Sequence, residues 1–152
     1  MEYMNSLPED LLELDQQVCF ALAVASRSVI GAYRPILEPL GLTHPQYLVM
    51  LALWGNAPLR FGDIAKMLHF DRASLSPLVK RLEHAGLIER IPVECDERTF
   101  ALVTTEAGQA LREQALSVPP AVIERLGMPI ERLVALRDEL TAVIAAVGPV
   151  QA

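Results

Sequence analysis

The sequence predicts a mainly α-helical protein with a small β-wing, and three observations carry that prediction. Hydrophobic residues make up 52% of the 152 residues and charged residues 21%, the balance of a folded chain with a real core. Apolar helical stretches stand at both ends, VCFALAVAS near the start and an amphipathic segment near the finish. Between them, Pro58 to Phe100 sets out a specific order of elements. PLRF leads into a helix, GDIAKMLHF; a turn at Asp71 opens a second helix, RASLSPLVKRLEHAGL. An apolar strand, LIERIPV, an acidic turn, ECDERT, and a second strand, FALVTT, then follow. Helix, short turn, helix and β-hairpin spell a winged helix-turn-helix. Its second helix can enter a DNA major groove about 12 Å wide, and its hairpin can reach the adjacent backbone or minor groove.

The remaining elements follow from caps and breakers. Ser6 with Glu9 forms a capping box with Pro8 in the first turn, so a helix should run from about Leu7 to Leu37, ended by Pro35, Pro39 and Gly41. Its middle is apolar all round, which predicts burial against a second chain. Thr43 and Gln46 form another capping box, with Pro45 in its first turn, opening a helix to Trp54. Beyond the wing, Thr104 or Thr105 caps a helix through about Leu116, which Pro119 and Pro120 disturb. A last helix from about Pro129 to Val147 carries Leu133, Leu136, Leu140, Val143 and Ile144 along one face. The expected organisation is an N-terminal helical dimerisation segment (1–42), a winged helix-turn-helix DNA-binding domain (43–104) and a C-terminal helical dimerisation segment (105–152). A symmetric homodimer would set two recognition helices one DNA turn apart and read a pseudo-palindromic operator.

The net charge is −6, which looks wrong for a DNA binder until it is divided along the chain. Pro58 to Pro92 holds six basic and four acidic residues, so this segment carries +2 and the rest −8. One basic face can then contact phosphates while the remainder keeps nonspecific affinity low. The acidic N-terminus lacks the basic start of a signal peptide. The nearly uncharged run between Asp15 and Arg27 is 11 residues, too short for a bilayer. Two distant cysteines suggest no disulfide framework, and a cytoplasmic setting with no membrane partner is expected. His44, His69 and His84 lack metal-ligand spacing, and no CxxC, GxGxxG, HExxH or Ser/His/Asp constellation occurs, so no metal, cofactor or catalytic residue is expected. His69 and His84 flank the recognition helix, where they pack or face solvent.

Three stretches carry a family resemblance: LDQQVCFALAVASRSVIGAYRPILEPLGLTHPQYLVMLALW, LSPLVKRLEHAGLIER and DERTFALVTTEAGQAL. They resemble the MarR family of winged-helix repressors, and within it the organic-hydroperoxide-sensing branch, OhrR. Asp96-x-Arg98 followed by TTEAG is the general family mark; LDQQVCF, YRPIL and HPQYLVMLALW point to the branch. The resemblance implies a homodimeric repressor that leaves its operator when one cysteine is oxidised by an organic hydroperoxide. It maps that cysteine onto Cys19, with a tyrosine at the position of Tyr33 donating a hydrogen bond across the dimer. Two positions depart from the family pattern, since Ala23 and His44 stand where relatives often carry tyrosines. His44 could donate in place of a tyrosine or belong to the cap of the helix that Thr43 opens.

The residues themselves give Cys19 little help. It lies some twelve residues from its helix N-terminus, beyond reach of the macrodipole, with no Lys, Arg or His within four residues. Tyr33 follows by fourteen residues, near four turns, so both share a helix face about 21 Å apart. Only the partner's tyrosine could reach Cys19, in an antiparallel pair; such a donor lowers the thiol pKa and favours attack on peroxide. Cys95 sits between Glu94 and Asp96 in the wing turn, where carboxylates disfavour a thiolate, and reads as an exposed bystander. The expected mechanism is therefore a one-cysteine one, with the sulfenic acid trapped by a low-molecular-weight thiol or a backbone nitrogen.

For DNA, Asp71 is the expected N-cap of the recognition helix. Arg72, Ser74 and Ser76 in its first turns would meet base edges, and Lys80 and Arg81 would meet phosphates. Arg98 in the wing would reach the minor groove or a phosphate, braced by Asp96. Leu75, Leu78, Val79 and Leu82 have core spacing. Two other functions compete: a MarR-type regulator responding to a small aromatic or phenolic acid in the dimer cleft, with Cys19 as pocket wall, and a thiol-dependent peroxidase using Cys19.

Overall fold

The computed structural model describes residues 11–93 and 96–148, with the backbone alone for residues 11, 12, 14–16 and 96–98. The elements run α1 (Leu11–Leu37), α2 (His44–Asn56), β1 (Leu59–Arg60), α3 (Phe61–Leu68), α4 (Arg72–His84), β2 (Ile88–Val93), β3 (Asp96–Thr104), α5 (Glu106–Ala115), α6 (Val118–Leu126) and α7 (Ile130–Val147). This is the expected mainly helical chain with a β-wing. The sheet is antiparallel in the order β1-β3-β2, so the two-residue strand before α3 clips onto the far edge of the wing. Leu59 opposite Leu102 and Arg90 opposite Leu102 set the register.

The caps form as the sequence requires. The Thr43 hydroxyl accepts from Gln46 N at 3.4 Å while Gln46 Oε1 accepts from Thr43 N at 2.9 Å, a closed capping box. Asp71 Oδ1 accepts from Ser74 N at 2.6 Å and starts α4, and Thr105 accepts from Gly108 N at 3.1 Å and starts α5. Leu37, Val49, Met50, Leu53, Ile64, Leu75, Val79, Leu82, Leu102 and Val118 are wholly buried and knit α1, α2, α3, α4, β3 and α6 into one core.

Five expectations are adjusted. Pro35 lies within the last turn of α1; the break is made by a 3-10 turn at Glu38–Leu40 and by Gly41, whose φ of 72° reverses the chain. The helix opened by Thr43 runs two residues past Trp54, to Asn56. The recognition helix ends at His84, because Gly86 with φ 77° turns the chain into β2. The second wing strand begins at Asp96 rather than Phe100, pairing Val93 with Asp96 through a shift in register after Pro92. Pro119 and Pro120 do not merely disturb the chain: they occupy the first turn of a separate helix, α6, where a missing N–H costs nothing. The predicted Ser6–Glu9 capping box and Cys95 lie outside the described residues.

α7 contrasts with the rest. None of its residues is buried, and Ile130, Val134, Leu136, Val143, Ile144 and Val147 are all exposed in the single chain. Val18, Phe20, Leu22, Val24 and Ile30 of α1 are exposed as well. No described helix is long and apolar enough to cross a membrane.

Candidate DNA-binding face and sensor helix

α4 presents two sides. Leu75, Leu78, Val79 and Leu82 point into the core, as their spacing predicts, while Arg72, Ser74, Lys80 and Arg81 are exposed and Ser76 is half-buried. The Asp71 carboxyl is held below its usual range by the hydrogen bond from Ser74 N, so its cap persists at neutral pH. His69, the C-cap of α3, holds a left-handed φ of 57° in the turn between the two helices. It and His84 are exposed. Asp96 and Arg98 belong to β3, but their side chains lie outside the described residues.

A groove of about 530 Å³ opens beside the exposed side of α4. Arg72, Ser76 and Lys80 form one wall, the Arg60–Asp63 turn a second, and Arg90, Thr99 and Phe100 of the wing base a third. Two arginines are laid on rings: Arg72 lies 5.6 Å from the Phe61 centroid and Arg90 lies 4.2 Å from that of Phe100. The two rings meet edge to face at 6.3 Å. Arg72, Phe61, Phe100 and Arg90 therefore form a continuous ladder from the recognition helix to the wing. Arg90 Nε also donates to Glu83 Oε1 at 2.9 Å. The sequence reading assigned Arg72, Ser76 and Lys80 to DNA but missed Arg60, Arg90 and the two phenylalanines. The only sequence signal was the basic count of this segment.

On α1, Cys19 is exposed in the single chain. It and Tyr33 share the uninterrupted helix Leu11–Leu37, so the two cannot meet within one chain. The Tyr33 ring instead packs at 4.7 Å from His44 and 5.9 Å from Tyr47. His44 thus contacts Tyr33 with its ring, while the cap belongs to Thr43 and Gln46. Burial pushes the Tyr33 hydroxyl pKa up and the His44 pKa down, which keeps Tyr33 a proton donor and His44 neutral at pH 7. Among the described residues, no group of three His, Cys, Asp or Glu side chains could hold a metal.

A second, smaller hollow of about 260 Å³ lies between α2 and α5. Tyr47, Leu51, Trp54, Leu116 and Pro119 make its walls apolar, and Arg112 is its one cation among the described residues.

A helix-turn-helix followed by a two-stranded wing, with a cationic groove along the second helix, defines a winged-helix DNA-binding protein. The MarR family profile matches residues 42–100, and the chain belongs to the MarR family of DNA-binding transcriptional regulators. It is 38% identical over 114 residues to the organic hydroperoxide resistance transcriptional regulator of Bacillus subtilis, covering 75% of this chain and 78% of that one. Among solved structures it resembles reduced AbfR bound to DNA (TM-score 0.74, 29% identity, 90% of this chain and 95% of that one). It also resembles NadR in complex with 4-hydroxyphenylacetate (TM-score 0.64, 29% identity, 83% of this chain and 91% of that one).

Proposed function

We propose that the chain is a cytoplasmic homodimeric repressor that senses organic hydroperoxides through Cys19 and then releases a pseudo-palindromic operator. The observation that carries this reading is Cys19, exposed on the apolar helix α1, in a chain 38% identical to a regulator of organic hydroperoxide resistance. The unpacked apolar faces of α1 and α7 support the dimer, which would use segments 1–42 and 105–152 around the DNA-binding domain 43–104. In that dimer the Tyr33 hydroxyl, with His44 packed on its ring, is the donor to the partner's Cys19 thiolate. The thiolate attacks one peroxide oxygen, the O–O bond breaks, and the alkoxide leaves and takes a proton as the alcohol. The resulting sulfenic acid condenses with a low-molecular-weight thiol, forming a mixed disulfide and water.

A sensor of this kind consumes about one equivalent of cumene hydroperoxide per Cys19, adding one oxygen to the Cys19 peptide by mass spectrometry. Continued turnover with a thiol reductant would instead identify a peroxidase.

For DNA, the reading gives Arg72, Ser74 and Ser76 to base edges, Lys80 and Arg81 to phosphates, and Arg98, braced by Asp96, to the wing contact. Arg72→Ala is expected to change sequence preference, whereas Arg98→Ala weakens binding to every duplex and flattens its salt dependence. Titrations across salt and operator variants check the division; identical behaviour of the two variants contradicts it.

The hollow at Tyr47, Leu51, Trp54 and Arg112 favours a second reading. An apolar wall with one cation suits a small aromatic acid, as bound by the similar NadR. Under that reading Cys19 is structural, and 4-hydroxyphenylacetate rather than hydroperoxide releases DNA.

A further inference from the structure

Among the described residues, four cations, Arg60, Arg72, Lys80 and Arg90, converge on the groove beside α4 and meet a single carboxylate on its walls, Asp63. Like charges gathered in one concavity of a chain whose net charge is −6 repel one another, and no fold requirement visible at this surface calls for them. Exposed ion pairs and exposed arginine–ring contacts stabilise a fold only slightly. What they do here is fix direction. Arg90 is laid on Phe100 and tied through Nε to Glu83; among the described residues its terminal Nη fork has no acceptor and can take a second one. A side chain already held in one rotamer loses little freedom when an anion arrives.

We propose that this groove seats the DNA backbone, with Arg60 and Arg90 each holding a phosphate and Phe100 positioning the Arg90 guanidinium. The proposal rests on the family's DNA-binding function and extends its contact set beyond α4 and the wing tip. The groove joins the two kinds of contact proposed above. Arg72 at the start of α4 and Arg90 at the wing base stand at the two ends of one ring ladder, so the phosphates between the major-groove helix and the wing fall on a rigid platform.

The test is fluorescence-anisotropy binding of the reduced protein to duplex DNA from upstream of its own gene, measured across chloride concentration. Arg60→Ala and Arg90→Ala should each make the log–log salt slope shallower by about 0.9 per bound protomer, with unchanged melting temperature. Arg90→Lys keeps the charge but loses the fork and the stack, so the slope should stay while affinity falls about three- to tenfold. Wild-type slopes in both alanine variants would overturn the proposal, as would a loss confined to melting temperature. Wild-type slopes in both alanine variants, beside a wild-type melting temperature raised by inorganic phosphate beyond the effect of chloride at equal ionic strength, would assign the groove to a free anion instead. Absence of binding by the wild type itself would instead count against the choice of operator and the DNA-binding reading, a result distinguishable from all of these.

Discussion

Gly108→Ala is expected to destabilise the protein by about 3 kcal/mol or more, a large share of the 5–15 kcal/mol that holds a typical domain together. Gly108 sits at the first turn of α5 where that helix meets the start of the wing. The Thr105 amide donates to Leu87 O at 3.0 Å, and the Thr105 hydroxyl bonds Gly86 O. The Trp54 indole N–H donates to Gly108 O at 2.9 Å from α2. A Cβ on Gly108 would lie 2.0 Å from Leu87 O and 3.1 Å from its carbonyl carbon. Leu87 is fixed by the hydrogen bond its own N–H donates to Leu82 O, so the backbone has nowhere to go and α5 must be pushed off the wing. Gly55→Ala is the matched control: it lies within α2, an added Cβ there meets nothing, and helix propensity gives a gain of up to about 1 kcal/mol. Urea unfolding of the two variants should separate them in opposite directions, and equal midpoints would contradict the packing described.

The second large effect concerns α7. As a single chain the helix is an exposed strip of Leu136, Val143 and Ile144, and a charge there would cost within about 0.5 kcal/mol, as surface substitutions do. In the proposed dimer the same strip is an interface, and Ile144→Glu leaves an unpaired carboxylate in it. The variant should sediment as a monomer at concentrations where the wild type is a dimer. Operator affinity should fall at least about a hundredfold, the lower range for losing the second of two linked binding modules. A variant that stays dimeric and binds DNA normally would move the interface elsewhere.

What was legible in the sequence was mostly local. Thr43, Asp71 and Thr105 announce helix starts because each has a side-chain acceptor placed for an amide three residues on. Leu75, Leu78, Val79 and Leu82 reveal their burial through period alone. Helix α6 was obscured because a Pro119–Pro120 pair signals a break inside a helix but an ideal start at its first turn, and sequence position alone does not say which. The early start of β3 was hidden by Asp96 and Glu97, residues with low strand preference, in a segment where Asp96 pairs with Val93 of β2. The cationic groove was illegible for a different reason. Phe61 and Phe100 are 39 positions apart, and only the clip of β1 onto β3 brings their rings together. Tyr33 and His44 lay closer in sequence, but their ring contact depends on the 3-10 turn and Gly41 folding α2 back beside α1.

Release of operator DNA by an organic hydroperoxide tests the central claim most directly. Fluorescence anisotropy would follow the reduced wild-type protein and Cys19→Ser on the same duplex while cumene hydroperoxide is added. The account predicts that both bind before addition and that about one equivalent per Cys19, with a small thiol present, releases the wild type and leaves the variant bound. Retention of both proteins on DNA, or release of both, would contradict Cys19 as the sensor.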